Sequence, residues 1–159
     1  MNQPDNTFLA QANVATALDD IESARMADFI AALDRVNAVA ERSPGFVWRL
    51  QDESGNATNI QTSEDPRFIV NLSIWETAKD LEHFVWKTVH KQVYRRKSKW
   101  FRAPAKPHLV MWWVPSGHRP GVDEALDRLA ELHDNGPSER AFGWESLPTV
   151  HLWKAQQCA

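Results

Sequence analysis

The apolar residues of this chain change their period along its length, and the order of those changes leaves few folds open. From Phe8 to Ala15 they alternate, with Phe8, Ala10, Ala12 and Val14 on one face and Leu9, Gln11 and Asn13 on the other. That is the period of a strand. Met26, Phe29, Ile30, Leu33, Val36 and Ala40 then recur at helical spacing. Asp19 and Asp20 offer an N-cap, and Ser43-Pro44-Gly45 stops the helix. Strand period returns in Phe46–Gln51 and Arg67–Trp75, separated by a polar, turn-rich stretch read as a loop. Thr77 caps a second helix with the stripe Leu81, Phe84, Val85, Thr88 and Val89, expected to run to Tyr94 or beyond. His108–Pro115 is a fourth strand. A helix over Val122–His133, ended by Asn135-Gly136-Pro137, and a short strand over Ala141–Leu147 complete the chain.

The order β-α-β-β-α-β, followed by an appended helix and short strand, predicts an α+β fold, the ferredoxin-like sandwich. No repeat, low-complexity segment or linker interrupts the 159 residues. One domain over 1–159 is expected, with its core at 8–147 and tails at 1–7 and 148–159. Helices cover one face of such a sheet. The other face is expected to carry Gln11, Asn13, Asn71 and Ser73, and the same parity in the second strand adds Val47, Arg49 and Gln51. So mixed a face suits a lumen or a wet interface between two copies, which predicts a two-fold homodimer.

The net charge of −3 argues against nucleic acid as the partner, since domains that bind it are usually basic. The one cysteine, Cys158, excludes an internal disulfide and a Cys-based zinc site. The opening MNQPDNT has neither the basic nor the apolar region of a signal peptide. No apolar run approaches the ~20 residues that span a membrane. A cytoplasmic protein with no membrane partner is expected.

Eight tryptophans are the unusual feature of the composition. An indole joins a large apolar body to one N–H that needs a partner. The Trp residues therefore either fill a core or wall a pocket, and Trp75, Trp86, Trp100 and Trp112 are the candidates for walls. Among polar groups, His83, Trp86 and His90 are spaced i, i+3, i+7 and would share a helix face. His90 is the best candidate for a base, axial ligand or hydrogen-bonding group. His118 sits in the turn Pro115-Ser116-Gly117-His118-Arg119-Pro120, where a loop can present an imidazole over a pocket mouth. Arg49, projecting from a polar strand face, could clamp an anion if no carboxylate neutralises it. The basic run Arg95, Arg96, Lys97, Lys99 and Arg102 around Trp100 reads as a solvated face. His90, His108 and His118 lack metal-ligand spacing, so no metal site is expected. No nucleophile elbow, P-loop or dinucleotide fingerprint is present.

The runs SPGFVWRLQ, NLSIWETAKDLEHFVWKTVHKQVYRRKSKWF, LVMWWVPSGHRP and NGPSERAFGW resemble the DUF3291 family, uncharacterised bacterial proteins of the dimeric α/β-barrel superfamily. The resemblance covers roughly Phe8 to Leu147. It implies the ferredoxin-like fold and its pairing into a dimeric barrel, and it supplies no function. The wider superfamily includes antibiotic-biosynthesis and haem-degrading monooxygenases, polyketide cyclases and small dehalogenating or isomerising enzymes. The haem-degrading members use a strand-one Asn with a Trp and a His on the helix after strand three. The matching residues here are Asn13, Trp86 and His90, with a shorter Trp-to-His interval of four residues. That similarity implies haem as the cofactor to test, with Arg95 and Arg96 near its propionates.

Three readings follow. The first is a monooxygenase-like enzyme, cofactor-independent or haem-dependent, acting on an aromatic or polycyclic substrate between the sheet and the second helix. His90 and His118 would be catalytic, with Asn13, Arg49, Asn71, Trp75, Trp86, Trp100 and Trp112 binding the substrate. The second is a non-catalytic small-molecule binder using the same pocket. The third is a structural dimer whose Trp residues only pack. In the first two, His90, Trp112 and His118 are expected to approach one cavity.

Overall fold

The computed structural model of the chain describes residues 1–53, 55–58, 63, 65–104 and 106–156. Four strands, β1 (Thr7–Thr16), β2 (Phe46–Arg49), β3 (Phe68–Trp75) and β4 (Leu109–Pro115), form an antiparallel sheet in the order β2-β3-β1-β4. The helices are α1 (Ala27–Glu41), α2 (Ala78–Lys87), α3 (His90–Arg95) and α4 (Val122–Asn135). This is the ferredoxin-like α+β arrangement the sequence pattern predicts. The loop expected between β2 and β3 lies partly outside the described residues, as does Cys158.

Both sheet faces are covered. Leu9, Trp75 and Met111 pack with Val36 and Ala40 of α1 and with Ala78, Leu81 and Phe84 of α2. On the opposite face Ala10, Ala12, Leu72, Ile74, Val110 and Trp112 pack with Ala125, Leu129 and Leu132 of α4. Strand register aligns Gln11 with Ser73 and Asn13 with Asn71, on the Leu9 face. The mixed polar face thus lies under α1 and α2. It is not the outer surface on which the sequence reading based the dimer. Alternation sorts residues into two faces without saying which the crossover helices cover. Here α4 takes the more apolar one.

The sequence breaks its periods at three points. A register shift between Phe46 and Trp48 puts Phe46 opposite Trp75 and Arg49 opposite Ser73. This bulge brings both residues to the α1/α2 face despite their odd spacing. The second helix does not reach Tyr94, because Thr88 is extended (φ −116°, ψ −171°). Its Oγ1 donates to the Phe84 carbonyl at 2.6 Å and accepts from the His90 N–H at 3.3 Å. A Thr side chain bonding the backbone in this way competes with the helical ladder. α1 begins at Ala27, not near Asp19, because Asp20 spends its side chain on the Glu22 N–H at 3.0 Å in a preceding turn. The strand expected over Ala141–Leu147 is two isolated bridges, Ala141 to Ser138 and Phe142 to Met111, followed by a 3-10 turn at Trp144–Ser146.

The segment after Leu147 packs against α2. Val150 is buried, and the buried Glu82 accepts the backbone N–H groups of His151 and Leu152, both at 2.5 Å. This carboxylate holds the 3-10 turn Leu152–Gln156 on the helix. Losing it leaves two amides without their acceptor, at about 1–3 kcal/mol. Glu82→Ala should lower the melting temperature by roughly 3–10 °C, read by differential scanning calorimetry. An unchanged melting point would contradict the clamp.

Candidate functional site

Gln11 and Ser73 are buried where two helices close over a sheet, with half-buried Asn13 and exposed Asn71 beside them, so their polar atoms need partners or space. They have both. Gln11 Nε2 and Trp75 Nε1 each donate to Ser73 Oγ at 2.9 Å. The hydroxyl accepts twice and keeps its own proton for a further acceptor. Around this chain lie two adjoining cavities of about 550 and 260 Å³, which share Asn13, Asn71, Arg49, His90 and His108 in their walls. Trp75, Phe84, Trp86, Trp144 and Trp153 wall the smaller one. The Phe84 ring stacks on Trp75 at 5.0 Å. Phe29, Leu33, Ile69 and Val93 give the larger cavity apolar walls, and Lys97, Arg102 and Lys106 give it cations.

His90 enters these cavities because of the break at Thr88. The break turns its ring back against Phe84, at a centroid distance of 5.1 Å, and sets Nδ1 3.4 Å from the Val85 carbonyl. Burial pushes the imidazole down to about 4, against the weaker upward pull of that carbonyl. The ring is therefore neutral near pH 7. A carbonyl can only accept, so Nδ1 carries the proton and Nε2 holds a free lone pair. Burial and the charge of Lys97 also hold His108 below its ordinary value. Arg49 is not a free anion clamp. Glu41 takes its Nη2 at 2.7 Å and its Nε at 2.9 Å.

Asn13, Arg49, Asn71, Trp75, Trp86 and His90 thus share one pair of cavities. The remaining candidates lie elsewhere. Trp100 is buried with Met26 and Phe29 in a separate cluster and lines neither cavity. Trp112 points to the α4 side of the sheet, where Nε1 donates to Glu124 Oε1 at 3.0 Å. His118 Nε2 lies 2.8 Å from Glu124 Oε2, so this imidazole pins a turn to α4. Burial alone would raise the Glu124 carboxyl; His118, Trp112 and Arg128 outweigh it and hold the group below its ordinary value. The expected approach of His90, Trp112 and His118 to one cavity therefore fails, because successive residues of β4 face opposite sides of the sheet. His83 is exposed. Arg96 pairs with Asp28 at 3.3 Å, and neither it nor Arg95 lines a cavity.

Sequence reasoning missed Asn37, Tyr94, Trp144 and Trp153 as wall residues. The two Trp residues come from the C-terminal segment, and the one local signal for its docking was Glu82 inside an apolar helix stripe. Among the described residues no group of three or more His, Cys, Asp or Glu is placed to hold a metal ion. None of their helices is long and apolar enough to cross a membrane.

Fold and site together define a ferredoxin-like α+β protein with a Trp-walled, partly polar cavity between sheet and helices. The chain belongs to the DUF3291 family, a domain of unknown function whose model matches residues 8–158. No curated protein matches it in sequence. Among solved structures it is similar to a "putative antibiotic biosynthesis monooxygenase" from Nitrosomonas europaea, at 17% identity and a TM-score of 0.47, over 76% of this chain and 100% of that one. It is also similar to a protein of unknown function from Nitrosomonas europaea, at 13% identity and a TM-score of 0.47, over 74% of this chain and 99% of that one.

A histidine held neutral in the fold makes stability depend on pH. Its folded pKa (about 4) lies below the ordinary 6.5, so the unfolded chain binds the proton that the folded chain refuses. The contribution of His90 is complete above pH ~6.5 and is lost as the pH falls from there through ~4. Urea unfolding at pH ~7 and ~4.5 should show the wild type losing about 2–3 kcal/mol more than His90→Gln. Equal losses would mean that His90 protonates freely in the folded protein.

Proposed function

We propose that this protein binds an aromatic or polycyclic small molecule between the sheet and helices α1–α3, with a hydroxyl of the ligand donating to His90 Nε2. The observation that carries the reading is the place of His90 in a cavity walled by Trp and Phe, its Nδ1 on the Val85 carbonyl and its Nε2 without a partner among the described residues. Such a site joins apolar surface to a few fixed polar groups, as ligand sites do, and the larger volume, about 550 Å³, is of the scale (~300–1,000 Å³) of such sites. Asn13, Asn71 and Ser73 are the further polar groups on offer, and Trp75 and Trp86 the walls.

Binding fits this geometry better than proton abstraction does. A monooxygenase-like reaction without a cofactor would begin by removing a proton from the substrate. Taking a phenolic proton, with a pKa of ~10, onto an imidazole at about 4 is uphill by about 8 kcal/mol. Hydrogen-bond acceptance has no such cost.

Haem is the one cofactor with a specific observation in its favour. A haem iron needs a neutral imidazole, the macrocycle apolar walls, and its propionates cations. His90 would supply the first, Phe29, Ile69 and Val93 the second, and Lys97, Arg102 and Lys106 the third, in place of Arg95 and Arg96. When bound, haem would supply the oxygen activation that His90 alone does not.

One pair of proteins, wild type and His90→Phe, tests both ligands. By calorimetry, β-naphthol should bind the wild type about tenfold more tightly than the variant, while naphthalene should not distinguish them. Equal loss of both ligands would make His90 a packing residue. Haemin added to the same pair reads the cofactor from a Soret shift that saturates at one per chain and vanishes in the variant.

The homodimer rests on the superfamily resemblance, since Gln11 and Ser73 of the polar face first assigned to it are buried on the side of α1 and α2. Light scattering at micromolar concentration should return twice the chain mass, and a monomer mass would refute it.

A further inference from the structure

Charge is distributed unevenly along this chain. Residues 83 to 122 contain nine of its 18 Lys and Arg residues and no Asp or Glu, although the net charge of the whole is −3. Part of that cationic stretch reaches the larger cavity, whose wall includes Lys97, Arg102 and Lys106. Among the described residues no Asp or Glu lines either cavity. Arg49, Arg67 and Arg96 each have a carboxylate, from Glu41, Asp65 and Asp28. Lys97, Arg102 and Lys106 form no ion pair with a described residue. Asp65, which feels Arg102 at longer range, is already held by Arg67 through both oxygens, at 2.9 and 3.0 Å.

Of these three cations, Lys97 is the one whose ammonium has a defined place against the cavity wall. Its Nζ lies 3.9 Å from the centroid of the Tyr94 ring. Burial and then the charge of Lys97 hold the His108 imidazole below its ordinary value, so the ammonium is within electrostatic reach of that ring too. Tyr94 and His108 both line both cavities. Lys97 is half-buried, so its ammonium has given up part of its hydration, and a ring face returns only some of that loss. Arg102 and Lys106 are exposed and add a positive potential that salt screens. The Tyr94 ring also stacks with the His90 ring, at 6.4 Å. One side chain therefore neighbours both the imidazole that accepts a ligand hydroxyl and the ammonium that lacks a counter-ion. A two-ring ligand spans such a separation.

We propose that Lys97 forms an anion subsite in the larger cavity and receives the carboxylate of an aromatic hydroxy acid whose hydroxyl donates to His90. The proposal rests on the reading of the cavity as a site for a hydroxylated aromatic, and it adds the charge of that ligand. One placed ammonium matches one negative charge, which favours a carboxylate over a phosphate dianion. The exposed Arg102 and Lys106 mark a side of the cavity open to water, where a carboxylate keeps part of its hydration and avoids the full cost of burial.

Calorimetry with 6-hydroxy-2-naphthoate and its neutral amide, two probes of nearly the same shape, tests the subsite. The wild type should bind the carboxylate about tenfold more tightly than the amide at low salt, and added salt should reduce that preference. In Lys97→Met, which keeps the apolar stem and loses the charge, the two should bind within about twofold of each other. β-Naphthol, which lacks the acid group, should bind wild type and variant within about twofold. Circular dichroism checks the fold, and Lys97→Gln takes the place of the Met variant if that one does not fold. If carboxylate and amide bind the wild type equally, or the preference survives the loss of Lys97, the subsite is overturned, while bound β-naphthol keeps the cavity a ligand site. If none of the three probes binds the wild type, the subsite and the reading of the cavity both fall.

Discussion

Two helices closed over a sheet face that buries Gln11 and Ser73, with half-buried Asn13 and exposed Asn71 beside them, cannot make a dry core. The chain resolves that conflict by dividing the face. At one end Leu9 and Trp75 meet α1 and α2 in apolar contact. At the other, the polar residues keep a space around them, and the bonds from Gln11 and Trp75 to Ser73 satisfy part of their demand. The opposite face has no such conflict, and α4 closes on it through Ala125, Leu129 and Leu132. The cavity thus follows from the polarity of four strand residues, and the rest of the site is arranged around it.

The interruption at Thr88 gives this space its chemistry. The Thr88 side chain ends α2, restarts the chain as α3 and turns the imidazole inward. Burial then keeps the ring neutral, and the Val85 carbonyl fixes which nitrogen carries the proton. The break at Thr88, burial and the Val85 carbonyl together set the position, charge state and tautomer of this imidazole.

The strands, the four-residue capping pattern at Thr77 and the appended helix were legible in the sequence because each is a local pattern. Thr77 does accept from the Asp80 N–H, and β1 and β3 keep the expected alternation. Which face the crossover helices would cover was not legible, because alternation fixes parity and not sidedness. The bulge near Val47 and the break at Thr88 each reverse a periodic expectation through a single residue. Asn13, Asn71, Trp75, Trp86 and His90 could be gathered from parity and helix order. Trp112 and His118 could not be assigned correctly, because their fate depended on Glu124 reaching both from α4. Trp153 was hidden for another reason: its place is set by Glu82, 69 residues away from His151 in the chain.

The account stands on a neutral His90 whose Nε2 faces a ligand. Nitrogen NMR of the imidazole, in protein labelled at histidine, measures both facts at once. Near pH ~6, where a free imidazole is largely protonated, His90 should show a protonated Nδ1 and a bare Nε2. Saturation with β-naphthol should then move the Nε2 resonance and leave Nδ1 nearly still. An imidazolium signature at that pH, or ring signals unmoved by bound naphthol, would contradict the account.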